Sequence, residues 1–462
     1  MKNVVVHVCC SCVMFVVLMS GCVRKNITLL SQISPEHKNY LQYEIVPEFR
    51  SVQRAGVNII SAKDDAEFAR SLAYNDVDLI MVPFEKSRYY VEGGYLKSMG
   101  NSADSQRLRY LEKELLLSAL GNIGGEQFYL PRNFKTRVMV YRRSKVQDAL
   151  RVWRSLRHEI NDDLRHINGY GLPSNYILEE NPEEWDFFDL FVLGWIWSRQ
   201  EYGGEKKPRI AHPVVSSRGL ALRLIDHVKQ FSSDQEVAVE DMFHWEALFS
   251  FSGVHNPAMW NENWTDQDLW EAFGNSDIFL SFLTQKDIFH IHGTGKDNLM
   301  GYVENGNDLA FATIPRAVSL ELDHYGSPLR TGGKSIVTGG FWWAVPLSAQ
   351  DPGLSLKFIE HVSGSVNQVE ESSRFGIIPV RREVLSHIPI IAGDHWVTQL
   401  YTISFLQLKY NGKNFLNDDI YNEMISDKFI SFWSDLVAEK NWADGQIPDR
   451  KFIQEKLTNI EF

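Results

Sequence analysis

The chain has 462 residues, 44% of them hydrophobic and 12% aromatic, which is enough for two or three ordinary cores. Its formal net charge is −12, and the absence of any basic run argues against a nucleic-acid binder. The four cysteines, Cys9, Cys10, Cys12 and Cys22, all lie at the extreme N-terminus, so the body has neither a disulfide framework nor a cysteine-ligated metal.

The N-terminus accounts for those cysteines. Lys2 and the free amine make a short positive start, and Val4 to Leu18 is apolar except at His7 and Ser11. The small pair Ser20-Gly21 then precedes Cys22. This has the form of a signal peptide and is too short for a comfortable membrane span. Leu18-Met19-Ser20-Gly21-Cys22 resembles a bacterial lipobox, with Met19 where leucine is usual. The resemblance implies that residues 1–22 are a lipoprotein signal segment and that Cys22 carries the lipid. An uncleaved signal anchor is the other reading, and either one places the body outside the cytoplasmic membrane.

The first elements alternate. Ile27 to Ser31 reads as a short buried strand. Leu41, Ile45, Phe49 and Val52 then recur at helical spacing, with Pro47 placed to kink or split the helix. Val57 to Ile60 is a second strand, and Asp64 or Asp65 caps a helix carrying Phe68 and Leu72. Asp78 to Pro83 is a third strand, with an unbroken apolar run of the kind buried on both faces. The order β-α-β-α-β predicts a parallel sheet covered by helices, with ligands beyond the carboxyl ends of its strands. Those ends are Ser31-Gln32, Ser61-Ala62 and Pro83-Phe84-Glu85. Ser31 to Pro35 has no glycine turn for a dinucleotide, and Gly293-Thr294-Gly295-Lys296 lacks the spacing and hydroxyl of a phosphate loop.

Further along, Arg218 to Phe231 carries a helical stripe, and Thr265 caps a helix through Leu269 and Phe273. Asp287 to His292 reads as a strand, which would point His290 and His292 the same way. Phe429, Phe432, Trp433, Leu436 and Val437 form a core stripe in the tail. The nine residues Thr338 to Pro346 hold paired glycines and three adjacent aromatics. On a strand, Trp342 and Trp343 point to opposite faces, so at least one indole is expected at a groove, a partner or solvent.

Several stretches together resemble the extracellular solute-binding proteins of ABC importers, the maltose-binding-like family. They are Ile45 to Phe49, Met81 to Pro83 with Val91 to Leu96, Phe128 to Tyr141, Asp308 to Pro315, Gly339 to Pro346, Ser355 to Val362 and Phe375 to Arg381. The likeness runs over roughly residues 22–385. It implies an α/β, two-lobe periplasmic-binding-protein-like fold of type II, each lobe a mainly parallel sheet flanked by helices. Lobe 1 would take residues 27–135 and 340–383, and lobe 2 residues 136–339 and 384–462. Crossover hinge strands near 130–140, 312–318 and 380–386 would join them. It also implies a monomer without cofactor that captures a small solute between its lobes. The importer's permease subunits and, through the lipid, a membrane would be its partners.

Thirteen tryptophans are many for this length. Sugar rings pack flat C–H faces on aromatic rings, and their hydroxyls need charged or amide partners. Asn181 to Asp186 and Trp260 to Trp264 offer that mixture, which favours a sugar or oligosaccharide. Core packing is the ordinary role of most of these indoles. The candidate ligand contacts are Gln32, Phe84, Trp342 and Trp343 in lobe 1, Trp195, Trp245 and His292 in lobe 2, and Arg132 on the crossover strand. Gln32 is chosen for its place at a strand end, Arg132 for its place between the lobes, and the lobe-2 tryptophans for position alone. No third ligand accompanies His290 and His292, so no metal is expected. No HExxH or GxSxG signature is present. Adjacent carboxylates such as Glu183-Glu184 and Glu240-Asp241 keep an extracytoplasmic carbohydrate-active enzyme as one alternative. A binding protein that signals to a sensor is the other.

Overall fold

The computed structural model describes residues 25–101, 104–202, 204–212, 239–256, 259, 264–293, 301–384, 395–412, 431–432, 447 and 450–458. The signal segment with Cys22, the stripe at 218–231, Trp260 and most of the tail stripe lie outside them. The chain divides into two compact units. Unit 1 comprises Met1–Val82, Tyr90–Arg132 and Trp342–Asn367, and unit 2 comprises Pro83–Tyr89, Asn133–Phe341 and Gln368–Phe462. The strands in chain order are β1 (Asn26–Ser31), β2 (Gly56–Ser61), β3 (Leu79–Pro83), β4 (Asn122–Ile123), β5 (Glu126–Gln127), β6 (Tyr129–Lys135), β7 (Arg137–Arg142), β8 (Leu280–Thr284), β9 (Leu309–Ala312) and β10 (Gly339–Ala344).

Unit 1 is built on a sheet of order β2-β1-β3-β10-β6. β1 pairs parallel with β2 and with β3, with Leu29 opposite Ile59 on one side and Leu79 on the other. Leu29, Leu30, Leu79 and Ile80 are fully buried, as their unbroken apolar runs require when helices cover both faces. Asp78 is a buried polar tie within this unit. Its carboxylate accepts the backbone N–H of Thr28 and of Gln350, each at 2.9 Å, and its carbonyl accepts the Ser355 hydroxyl at 2.9 Å.

The first helical segment resolves the Pro47 problem without a break. Helix Pro35–Tyr40 runs into a wide π turn, Leu41–Ile45, and then into helix Val46–Gln53, where Pro47 lies in the first turn. A missing N–H costs nothing there. Leu41, Ile45 and Phe49 are buried as expected, but Val52, expected on the same stripe, is 69% exposed in the last turn of the helix, which ends at Gln53. Asp64 caps helix Asp65–Tyr74 by accepting the Glu67 N–H at 2.8 Å.

Unit 2 carries a sheet of order β8-β7-β9. β7 pairs antiparallel with both neighbours, Met139 opposite Phe282 and Val140 opposite Phe311. The expected parallel arrangement thus holds for β1, β2 and β3 of unit 1, while the strands described here in unit 2 run against β7. Isolated parallel bridges join Ile210 to Leu280 and Asp186 to Arg316. The core of this unit centres on helix Phe187–Arg199, which is apolar all round and buried from Phe187 to Trp197.

Gly340 shows why paired glycines begin β10. Its φ is +143°, and a Cβ there would lie 2.2 Å from the Asn133 carbonyl oxygen. Only glycine lets these two backbone segments approach so closely.

Candidate ligand-binding site

In unit 1, Gln32 follows the carboxyl end of β1 and is half-buried, and its amide donates to Asp65 Oδ1 at 2.9 Å. Beside it, the Ser61 hydroxyl donates to the Ile33 carbonyl at 2.8 Å. Gln32 and Asp65 therefore place an amide and a carboxylate together where a parallel sheet offers its ligand edge.

Trp342 and Trp343 alternate across β10 as the strand period demands, but neither is offered to solvent or to a groove. Trp342 packs on Tyr129 with ring centres 5.8 Å apart. Trp343 lies beneath Arg132 at 5.2 Å and near Phe358 at 6.4 Å. The expectation that one indole would be free is corrected here. β10 is paired on both edges, and its faces are covered separately, by Tyr129 over Trp342 and by Arg132 and Phe358 over Trp343. Arg132 itself is fully buried in this packing.

In unit 2, Phe84 is buried and edge-on to Phe134, with centres 5.9 Å apart. Trp195 donates its indole N–H to Asp163 Oδ2 at 2.8 Å and lies under the Arg199 guanidinium at 4.3 Å. Trp245 is fully buried among Phe187, Phe188 and Phe249, with its N–H on the Val318 carbonyl. Both indoles belong to the hydrophobic core of this unit, and so do Trp185 and Trp197. Their ring faces are occupied by protein, which corrects the assignment of Trp195 and Trp245 to ligand. Sequence position alone did not separate them from surface tryptophans.

The segment expected as a strand over Asp287 to His292 is a helix, Gln285–His292. Thr284 and Asp287 form a capping box. The Thr284 N–H and hydroxyl reach Asp287 Oδ2 at 3.1 and 2.6 Å, and the Asp287 N–H reaches Thr284 Oγ1 at 3.4 Å. That Thr-x-x-Asp spacing starts a helix and overrides the apolar alternation. His290 and His292 consequently diverge. His290 stacks on Trp270 at 4.2 Å, and burial holds its pKa below the usual histidine range. His292 is half-buried and stacks on Trp396 at 3.8 Å.

The mixture noted at Asn181 to Asp186 does assemble with distant residues. The Glu183 carboxylate accepts the Thr313 N–H at 3.2 Å and its hydroxyl at 2.7 Å. Lys334 donates to the Glu183 carbonyl and, at 3.2 Å, to Thr313 Oγ1. Lys334 is nearly buried, and that burial lowers its pKa. The Tyr141 phenol, whose ring is 5.5 Å from that of Trp185, is pushed up to about 12 by burial, with the Glu183 charge acting in the same direction. Glu184 and Arg316 stay exposed at the edge of this cluster. Thr313 and Lys334 carry no sequence signal of their own and were missed. A second constellation, His212, Glu246 and His255, is buried in the same unit and is the one group among the described residues with metal-ligand geometry.

No family model matches this chain, and no curated protein matches it. Solved structures do. The maltose-bound MalE3 of T. maritima is 11% identical, covers 94% of this chain and 98% of its own, and has a TM-score of 0.63. The GacH receptor of Streptomyces glaucescens, studied unliganded and with acarbose, is 10% identical over 95% of this chain and 99% of its own, with a TM-score of 0.61. The ABC substrate-binding protein Lmo0181 of Listeria monocytogenes, in complex with cycloalternan, is 15% identical over 95% and 98%, with a TM-score of 0.58. At such low identity the likeness speaks to architecture, and it spans nearly the full length of every chain. The protein therefore has the two-lobe α/β fold of the periplasmic binding proteins.

Proposed function

We propose that this chain is an extracytoplasmic solute-binding protein that captures a sugar or oligosaccharide and delivers it to an ABC importer. The observation that carries the proposal is the fold, matched over 94% of the chain by a protein solved with maltose bound. The proteins solved with acarbose and with cycloalternan support the same substrate class. Fold alone does not determine function, so the reading also leans on side chains. Gln32 with Asp65, and the half-buried Glu183 carboxylate, supply amide and carboxylate groups of the kind that sugar hydroxyls need.

In this reading the ligand shifts the population toward the form that binds it more tightly. The permease subunits then recognise the loaded protein, which works as a monomer. Lipidation at Cys22 anchors it to the membrane. No helix among the described residues is long and apolar enough to cross a membrane.

The test is a thermal-shift and tryptophan-fluorescence screen of residues 23–462 against mono- and oligosaccharides, polyamines and amino acids. A specific ligand raises the melting temperature by mass action. A sugar that shifts melting and is recovered unchanged supports the proposal. A sugar converted to products moves the protein to the enzyme class, and a response confined to cations removes the sugar.

A further inference from the structure

The geometry points to a buried binding site for a divalent transition-metal ion of the zinc class, formed in unit 2 by His212, His255 and Glu246. The three residues are 2%, 3% and 1% exposed, and their ligand atoms all lie within 4.8 Å of one another. Glu246 stands on helix Val239–Phe251. His255 follows that helix and bridges in parallel to Ile210, and the Asn256 N–H returns to the Ile210 carbonyl at 2.8 Å. That pairing brings His212, two residues after Ile210, against His255. The imidazoles are fixed by aromatic neighbours, His212 stacked on Phe282 at 5.1 Å and His255 against Phe249 at 4.9 Å.

The two Nε2 atoms are 3.1 Å apart, and this distance alone fits either a shared proton or a shared ion. Ring placement separates the two. In a collinear N–H···N bond of this length, with a ring radius of about 1.15 Å on each side, the centroids would stand about 5.4 Å apart. They stand 4.7 Å apart, with the ring planes at 90°. The two ring axes therefore do not share one straight line through the nitrogens. Two imidazoles each about 2.0–2.1 Å from one ion, at the same nitrogen separation, would set their centroids about 4.8 Å apart. The observed pair matches the second arrangement.

Glu246 supplies the remaining feature of such a site. Its Oε2 lies 3.2 Å from His255 Nδ1 without the geometry of a hydrogen bond, and a Glu246 oxygen is one of the three ligand atoms that lie within 4.8 Å of one another. None of this depends on the sugar-binding reading.

The test uses the mature chain, residues 23–462, stripped with a chelator and titrated with Zn²⁺ and separately with Co²⁺. The expected result is about one equivalent of Zn²⁺ bound, with a raised melting temperature. Co²⁺ should give visible absorption bands of low coordination number that Zn²⁺ abolishes. His212→Gln and His255→Gln should each weaken Zn²⁺ binding by about 100-fold or more, and Glu246→Gln by about 10–100-fold. If a variant does not fold, the Co²⁺ spectrum of the unaltered chain still decides. No stoichiometric uptake by the unaltered chain overturns the site and leaves a hydrogen-bonded histidine pair beside Glu246. Uptake that persists in both histidine variants assigns the ion to other histidines and overturns it equally.

Discussion

The guanidinium carbon of Arg132 lies 5.2 Å from the centre of the Trp343 ring, and both side chains are fully buried in unit 1. A cation–π contact removed from water contributes about 2 kcal/mol, and a buried indole contributes more through its area. Trp343→Leu should therefore cost about 3 kcal/mol, read as a lower urea midpoint. Arg132→Lys should cost less, about 1–2 kcal/mol, because an ammonium cannot lie flat on the ring. A Trp343→Leu protein that melts normally but loses its sugar response would return Trp343 to the ligand.

Asp78 is a second residue whose role is structural. It accepts two backbone N–H groups, those of half-buried Thr28 in β1 and exposed Gln350. Asp78→Ala removes both acceptors, with water able to reach the Gln350 donor, and should cost about 1–3 kcal/mol. Asp78→Asn keeps one acceptor oxygen and should cost about half as much. Equal midpoints for Asp78→Ala and the unaltered chain would show that water replaces the carboxylate at no cost.

The parallel core of unit 1 was legible because its signals are local. Apolar runs at Ile27 to Ser31 and Asp78 to Pro83, an Asp64 cap and short connections are all carried by neighbouring residues. The Gln285–His292 helix was misread because a six-residue stretch satisfies both periods, and only the Thr284–Asp287 box separates them. The tryptophans were misassigned for a different reason. Whether Trp245 lines a surface or fills a core depends on Val318 and Phe187, which lie 73 and 58 positions away. Separations of 130, 151 and 43 positions likewise hid Thr313 and Lys334 beside Glu183, and His212 beside His255. Such long-range pairing leaves no periodic trace in one sequence.

Gln32 and Trp245 separate ligand contact from core packing. The Gln32 amide is near the surface, so Gln32→Ala should leave the melting temperature of the free protein within about 1 °C. If it bonds a sugar hydroxyl, the loss of about 1–1.5 kcal/mol should weaken sugar affinity about tenfold. Trp245→Leu should do the reverse, costing about 3 kcal/mol of stability while the folded protein binds within about twofold of normal. Calorimetric titration of both variants with the best sugar from the screen checks this. Loss of affinity in Trp245→Leu with melting intact would contradict the core assignment.

Asp186 and Asp189 make stability depend on pH in an unusual direction. Asp186 caps helix Phe187–Arg199 through the N–H groups of Phe188 and Asp189, at 2.7 and 3.3 Å, and Asp189 Oδ2 accepts the Asp186 N–H at 2.9 Å. Tyr176 donates its hydroxyl to Asp189 Oδ1 at 2.9 Å. Burial raises the pKa of both carboxyls, and for Asp186 the neighbouring Asp189 charge adds to it, pushing it up to about 7. The folded state therefore holds protons that the unfolded chain has released once pH passes the ordinary aspartate range. Stability from this pair is full at low pH and is lost as pH rises toward neutrality. Between pH 5 and pH 8 the melting temperature should fall by about 2–4 °C on this account. Asp186→Asn retains an acceptor oxygen for the helix cap but cannot ionise, so its melting temperature should vary less over the same range and exceed that of the unaltered chain at pH 8. A melting temperature that rises from pH 5 to pH 8 with the same slope in both proteins would show that the pair is fully ionised in the fold and that the capping N–H groups outweigh burial.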